Sequence, residues 1–230
     1  MSANPRLGVG WAPLALLVSQ PLLAQDHPTD LVGTYNGGQT EVGSELRLEA
    51  NGRYQYYLSY GALDEMSQGT WAADAGGLIL TSDPVKPPVL ELLDAKTGKR
   101  KELVVSLDVP KGMDAQYFSA FALQPDGTIA EVQFPADGPL RIPLAPGKAP
   151  SKIAVALSVY QVASQPYDLA SGKHALHFRF VPNDLGKVAF DHHRLTRDGD
   201  AFVLQRFDLT LRYRKEAPEN AAEPKTDAAN

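Results

Sequence analysis

The chain contains no cysteine. That absence removes a disulfide framework, a thiol nucleophile and any cysteine-based metal site, and leaves no residue to carry a lipid at a mature N-terminus. Basic side chains are also few: 22 Lys and Arg stand against 27 Asp and Glu, a net charge of −5. Non-specific nucleic-acid binding and electrostatic attachment to anionic lipid both need a basic footprint, so neither is expected. Common catalytic signatures are missing. There is no Gly-x-Ser-x-Gly, no Ser-x-x-Lys with suitable partners, no Gly-x-x-x-x-Gly-Lys and no Gly-x-Gly-x-x-Gly after a strand. "APGKAPSK" has a Gly-Lys step without the preceding glycine spacing.

Long apolar runs are equally scarce. The one of note is "WAPLALLVSQPLLA", Trp11 to Ala24, preceded by Arg6 and followed by polar "QDHPTD". A membrane-spanning helix needs about 20 apolar residues. This run is shorter and is interrupted by Pro13 and Pro21. Residues 1–24 are therefore expected to be a signal peptide cut near Ala24, an uncleaved anchor being the alternative. The protein is then periplasmic or secreted, with no stable membrane anchor. Residues 1–24 hold one basic residue, so the remainder has 21 basic and 27 acidic side chains, net −6.

What is present is strand and turn. Gly 19 and Pro 18 cut the chain into short segments, which favours strands over long helices. In "SELRLEANGRYQYYLSY", Leu46 and Leu48 alternate with polar residues, and so do Tyr54, Tyr56, Leu58 and Tyr60. A two-residue Asn51-Gly52 loop would put the two apolar sets on opposite faces. A three-residue Ala50-Asn51-Gly52 loop, with Gly52 left-handed, sets Leu48 opposite Tyr54 and Leu46 opposite Tyr56. That register predicts Tyr54, Tyr56 and Tyr60 facing inward and Tyr57 outward. In "GTWAADAGGLILTSDP", Trp71 and Ala73 form one arm and Leu78 and Leu80 the other, with Asp74–Gly77 as the loop and Trp71 opposite Leu80.

"SDPVKPPV" cannot sit in a central strand and reads as a linker. Between it and "KHALHFRFVPND" come strand-length runs separated by turns, as in a β-sandwich over 87–184. Afterwards Val188 and Phe190 suggest a strand, Asp198-Gly199 a turn, and Phe202 and Leu204, then Phe207, Leu209, Leu211 and Tyr213, two further strands. Residues 216–230 lack any apolar run and read as a disordered tail.

"GTYNGG", then the Asn51-Gly52 hairpin, then Gly69-x-Trp71, resembles the opening of small lipocalin-like barrels of bacterial envelope proteins. These include the N-terminal domain of copper-resistance and envelope-stress lipoproteins. "RDGDAFVLQRFDLTLRYRK" looks similar to their closing strands. The resemblance implies one discontinuous barrel-like domain, residues 30–84 plus 186–215, interrupted by the sandwich, because late strands would close edges left open by the early ones. Two consecutive domains broken near Pro84 are the alternative. The lipid-bearing cysteine and Cys-x-x-Cys pair of those lipoproteins are absent, so copper handling and envelope signalling are not implied. The full chain also resembles uncharacterised exported proteins of Gram-negative bacteria, which implies no chemistry.

The fold expected is thus all-β: a small lipocalin-like barrel with an inserted or following sandwich. Candidate ligand contacts are the barrel wall and rim, Tyr54, Tyr56, Tyr60, Asp64, Glu65 and Trp71. Asp64 and Glu65 are expected in a connection between two hairpins. As neighbours they do not converge on one substrate as an acid/base pair must. The histidines pair locally, His174 with His177 and His192 with His193, at spacings that place each pair on opposite strand faces. No catalytic set, metal or cofactor is assigned. The leading expectation is a non-enzymatic exported protein binding a protein partner or small ligand. The alternatives are a carrier with an apolar cavity and a hydrolase using Asp64, Glu65 or His192.

Overall fold

The computed structural model describes residues 28–98, 101–145 and 149–217. The expected signal peptide and residues 218–230 of the expected tail lie outside them. The protein is all-β. Strands β1 (Gly33–Asn36), β2 (Val42–Leu48), β3 (Arg53–Tyr60), β4 (Leu63–Asp74) and β5 (Gly77–Ser82) follow one another as antiparallel neighbours. After a proline-rich stretch come β6 (Val89–Lys96), β7 (Glu102–Asp108), β8 (Ser119–Leu123), β9 (Ile129–Gln133), β10 (Leu140–Pro143), β11 (Lys152–Leu157), β12 (Val162–Ala163), β13 (Tyr167–Asp168) and β14 (Ala175–Val181). The last strands are β15 (His193–Asp198), β16 (Ala201–Arg206) and β17 (Leu209–Lys215).

The late strands pair onto the early ones. β15 pairs with β5 and β17 with β1, which closes an eight-stranded antiparallel barrel in the order β1-β17-β16-β15-β5-β4-β3-β2. The β2–β3 hairpin has the three-residue loop that the apolar pattern requires. Leu48 faces Tyr54 and Leu46 faces Tyr56, while Gly52 sits at φ 79, in the left-handed region that glycine adopts without steric cost. In the next hairpin Trp71 does face Leu80, but Asp74 and Gly77 are themselves paired, so the loop is only Ala75-Gly76. Arg194 on β15 grips the Asp74 carboxylate with two hydrogen bonds of 2.7 and 2.6 Å. That hydrogen bonding, led by Arg194, holds the carboxyl of Asp74 down to about 2. The glycine of Gly69-x-Trp71 also has a steric reason: a Cβ there would lie 2.0 Å from the Thr81 carbonyl oxygen.

The strands between β5 and β15 form two sheets, β10-β7-β14-β6 and one built on β12-β11-β8-β9, with β13 also on β11. Their facing side chains, among them Leu103, Val105 and Phe178 from one sheet and Ala120, Ile153 and Val155 from the other, share one buried core. The barrel has its own core, rich in aromatic residues: Tyr35, Tyr54, Tyr56, Trp71, Phe202 and Tyr213 are buried with leucines between them.

Three local expectations are corrected. Val188 and Phe190 are not in a strand. They belong to an extended return segment that bonds to β4 and to Ser82. Phe207 breaks the inward alternation: it sits in the β16–β17 turn at φ 54 and is exposed. Asp64 and Glu65 are not in a connection, because β4 begins at Leu63 and contains both.

Candidate functional site at the barrel rim

The intervening sheets leave the barrel at Ser82 and return at His193, so both linkers lie at one end, beside the β3–β4 and β16–β17 turns. The linkers are fastened to each other. The Asp184 N–H donates to the Lys86 carbonyl, the Lys86 N–H donates to the Asp184 carboxylate, and the Asn183 side-chain amide donates to the Pro87 carbonyl at 2.8 Å.

β4 is longer than its neighbour β5, and their pairing ends at Gly69 and Ser82. Above that point the wall is completed by the return segment. Met66 N–H donates to the Gly186 carbonyl at 2.8 Å, and Val188 N–H donates to the Met66 carbonyl at 2.9 Å. Ser82 N–H donates to the Phe190 carbonyl at 2.8 Å. The segment then turns the Phe190 ring inward, against Tyr56 (ring centroids 5.2 Å), Tyr54 (6.4 Å) and His193 (5.1 Å). Phe190 joins the barrel core and fills the rim end of the interior.

Glu65 faces inward beside this plug and is buried. Arg206, at the end of β16, meets it with two hydrogen bonds, Nε to Oε2 at 2.8 Å and Nη2 to Oε1 at 2.5 Å. A buried carboxylate needs such a partner, since an unpaired one would bear the full cost of desolvation. Burial acts to lower the Arg206 pKa, but the hydrogen bond and charge of Glu65 more than offset it. The Arg206 guanidinium also lies 4.4 Å from the centre of the Phe207 ring, a cation–π contact. Phe207, out of place in the alternation, is thus the cover on the outer side of the ion pair.

The inward tyrosine hydroxyls differ in how they are satisfied. Tyr54 shares a hydrogen bond with Ser67 at 2.8 Å, and Tyr213 shares one with Ser44 at 2.6 Å. The Tyr56 hydroxyl is buried and has no partner, the only such side-chain atom among the described residues. Burial, then the Tyr213 and Glu65 groups, push its pKa far up.

Outside the plug, a cleft of about 340 Å³ lies between the barrel and the sheets. Val85, Pro87, Pro88, Leu185 and Val188 make its apolar walls, with Tyr160 from the sheets and the Glu65–Arg206 pair also lining it.

The structure distributes the six sequence-derived candidates as follows. Tyr54, Tyr56 and Trp71 are core, and the Trp71 indole N–H donates to the Glu49 carbonyl at 3.0 Å. Tyr60 was expected to face inward but lies at the last position of β3 and is 37% exposed. Asp64 points outward and accepts a hydrogen bond from the Tyr57 hydroxyl at 3.1 Å. Glu65 alone lines the cleft. Asp64 and Glu65 thus stand on opposite faces of one strand and do not converge. The histidines do not converge either: His177 pairs with Asp108 and His192 with Asp191, each at 2.8 Å. Among the described residues no group of three or more His, Asp or Glu is placed to hold a metal ion. No helix of the described residues is long and apolar enough to cross a membrane. Arg206, Phe190 and Tyr160 are cleft or plug residues that sequence reasoning missed. The one signal available was a lone charge, Arg206, closing the strand in "FVLQRF".

Comparison with family models, with curated proteins and with solved structures gives no match for this chain.

Proposed function

We propose that this is a non-enzymatic exported protein that binds a small, largely apolar ligand in the cleft between the barrel rim and the intervening sheets. One observation carries the reading. The interior that a carrier would use is occupied by Phe190, whereas an apolar-walled cleft with a charged floor stands open directly above it. Ligand sites of this kind combine apolar walls with a few placed polar groups. Both linkers line the cleft and are hydrogen-bonded to each other, so its shape is held before a ligand arrives, which lowers the ordering cost of binding. The resemblance to lipocalin-like barrels adds an expectation of ligands at the barrel end, and the apolar N-terminal run supports export.

The test uses anilinonaphthalene sulfonate, an apolar fluorophore with one anionic group, on the purified protein. Saturable fluorescence enhancement is expected, lost in Ala189→Trp, which fills the cleft from an exposed lining position. Absence of saturable binding, or binding unchanged by Ala189→Trp, overturns the assignment. For export, expression in a Gram-negative host followed by intact mass should show loss of residues 1–24; a periplasmic product that retains them refutes cleavage.

A further inference from the structure

The outer surface of β2, β3 and β4 carries a second concavity of about 350 Å³, which shares only Lys187 with the lining of the rim cleft. Strand pairing arranges its side chains as a grid. Glu45, Tyr57 and Met66 lie directly opposite one another across the three strands, and Arg47, Gln55 and Gln68 form the next row. All point away from the core, because alternate positions of each strand are buried. Tyr57 is the centre of the grid and is 44% exposed. It borders this groove on one side and a second groove over Gly43 on the other. Gly43 leaves that neighbouring space open, since a Cβ there would meet only the Ser59 Cβ, at 3.9 Å. The Tyr57 hydroxyl donates to the Asp64 carboxylate, and its ring stands as a plate between the two grooves.

The polar groups around the plate have hydrogen-bonding capacity left. The Gln55 Nε2 donates to Glu49 and the Gln68 Nε2 to Asp83, so both amide carbonyls remain to accept. Among the described residues no hydrogen bond engages the Glu45 carboxylate. Lys187 lines the far side and is paired with Asp184. Two residues lining the groove are charged, Glu45 and Lys187, one of each sign, which suits a neutral ligand better than an ionic one.

We propose that this face binds a neutral, hydroxyl-rich saccharide chain. A sugar ring has one apolar C–H face, which stacks on an aromatic plate, and an edge of hydroxyls that both donate and accept. Those hydroxyls meet the Gln55 and Gln68 amides two residues along β3 and β4, and the Glu45 carboxylate beside the plate on β2. An extended chain crosses both grooves with Tyr57 between successive sugar units.

The experiment titrates isotope-labelled protein with maltoheptaose, cellohexaose, chitohexaose and mannohexaose, reading backbone amide shifts. At least one should bind saturably and move the amides of 43–45, 55–57 and 66–68. Tyr57→Ala should weaken that binding by about tenfold or more, as for removal of a central aromatic anchor. Tyr57→Phe, which keeps the plate, and Tyr117→Ala, an exposed tyrosine elsewhere, should bind as the parent does. Lack of saturable binding to all four, shifts confined to the rim cleft, or affinity unchanged in Tyr57→Ala each overturn the proposal. The rim assignment stands or falls separately, on the fluorophore and Ala189→Trp.

Discussion

The barrel and the sheets between its two halves meet the same difficulty, unpaired strand edges, in different ways. The barrel closes on itself and has no edge. The sheets keep edges and blunt them locally. β10 ends on Pro143, and edge strand β6 has a register shift between its pairings with His177 and Phe178. Their cores differ in parallel. The barrel buries tyrosines and a tryptophan, so it must find partners for hydroxyls inside a closed wall. The core of the sheets is Leu, Val, Ile, Phe and Ala, with its tyrosines only partly buried. The polar problem, and with it the site, is therefore concentrated where the return segment takes over the barrel wall and Glu65, Arg206 and Tyr56 lie.

If these are two separately stabilised cores, the largest expected effect is their independent response to loss of a large ring. Phe190→Ala should cost the barrel about 3–5 kcal/mol, and Phe178→Ala the sheets a similar amount. Fluorescence of Trp71, the one tryptophan beyond residue 24, reports the barrel; far-ultraviolet circular dichroism reports both. Phe178→Ala should leave the Trp71 transition in denaturant in place. An equal shift in both signals would erase the distinction.

Breaking the ion pair comes next. Arg206→Met leaves Glu65 buried without its partner and should cost about 2–4 kcal/mol, tempered by the partial exposure of the guanidinium. The double variant Glu65→Leu with Arg206→Met should recover most of that loss in denaturant melts. If the double variant is as unstable as the single, the penalty lies in lost packing and not in an unpaired charge.

The tyrosines sharpen the comparison further. Tyr213→Phe deletes the hydrogen bond to Ser44 and should cost about 1 kcal/mol. Tyr56→Phe deletes a hydroxyl that has no partner and should be neutral or stabilising by up to about 1 kcal/mol. Equal destabilisation by both would mean that the Tyr56 hydroxyl is satisfied in solution.

The smallest expected effect is a pH dependence at the rim. Burial, and secondarily the Arg206 cation, hold His193 below its ordinary value of 6.5. The unfolded chain therefore takes up the proton more readily than the folded one. The stability that neutral His193 contributes is complete above about pH 6.5 and is lost as pH falls through the lower folded value. His193→Phe should flatten the change in melting temperature between about pH 7 and pH 5. An unchanged slope would assign it to other groups.

Local chemistry was legible where sequence neighbours are also spatial neighbours. The Ala50–Gly52 loop, the Leu48–Tyr54 register and the Trp71–Leu80 pairing all follow from hairpin geometry and period-two burial. Asp64 and Glu65 were misplaced because Gly61-Ala62 makes a turn too short to be told from a longer loop. Tyr60 keeps the inward parity of Tyr54 and Tyr56, but parity does not say where a strand passes the rim. The return segment escaped because Val188 and Phe190 alternate as a strand would, yet their partners are β4 and Ser82, more than a hundred residues earlier.

By itself the sequence determined the β character of the chain, the face each early strand buries and the chemistries it lacks, since period, turn residues and composition act within a few residues. Only the tertiary structure decided that β15 and β17 seal the barrel, that Phe190 fills it, and that Arg206 reaches Glu65. Those pairings join residues far apart in the chain, and which partner a strand edge or a buried carboxylate finds depends on which surfaces the whole fold brings together.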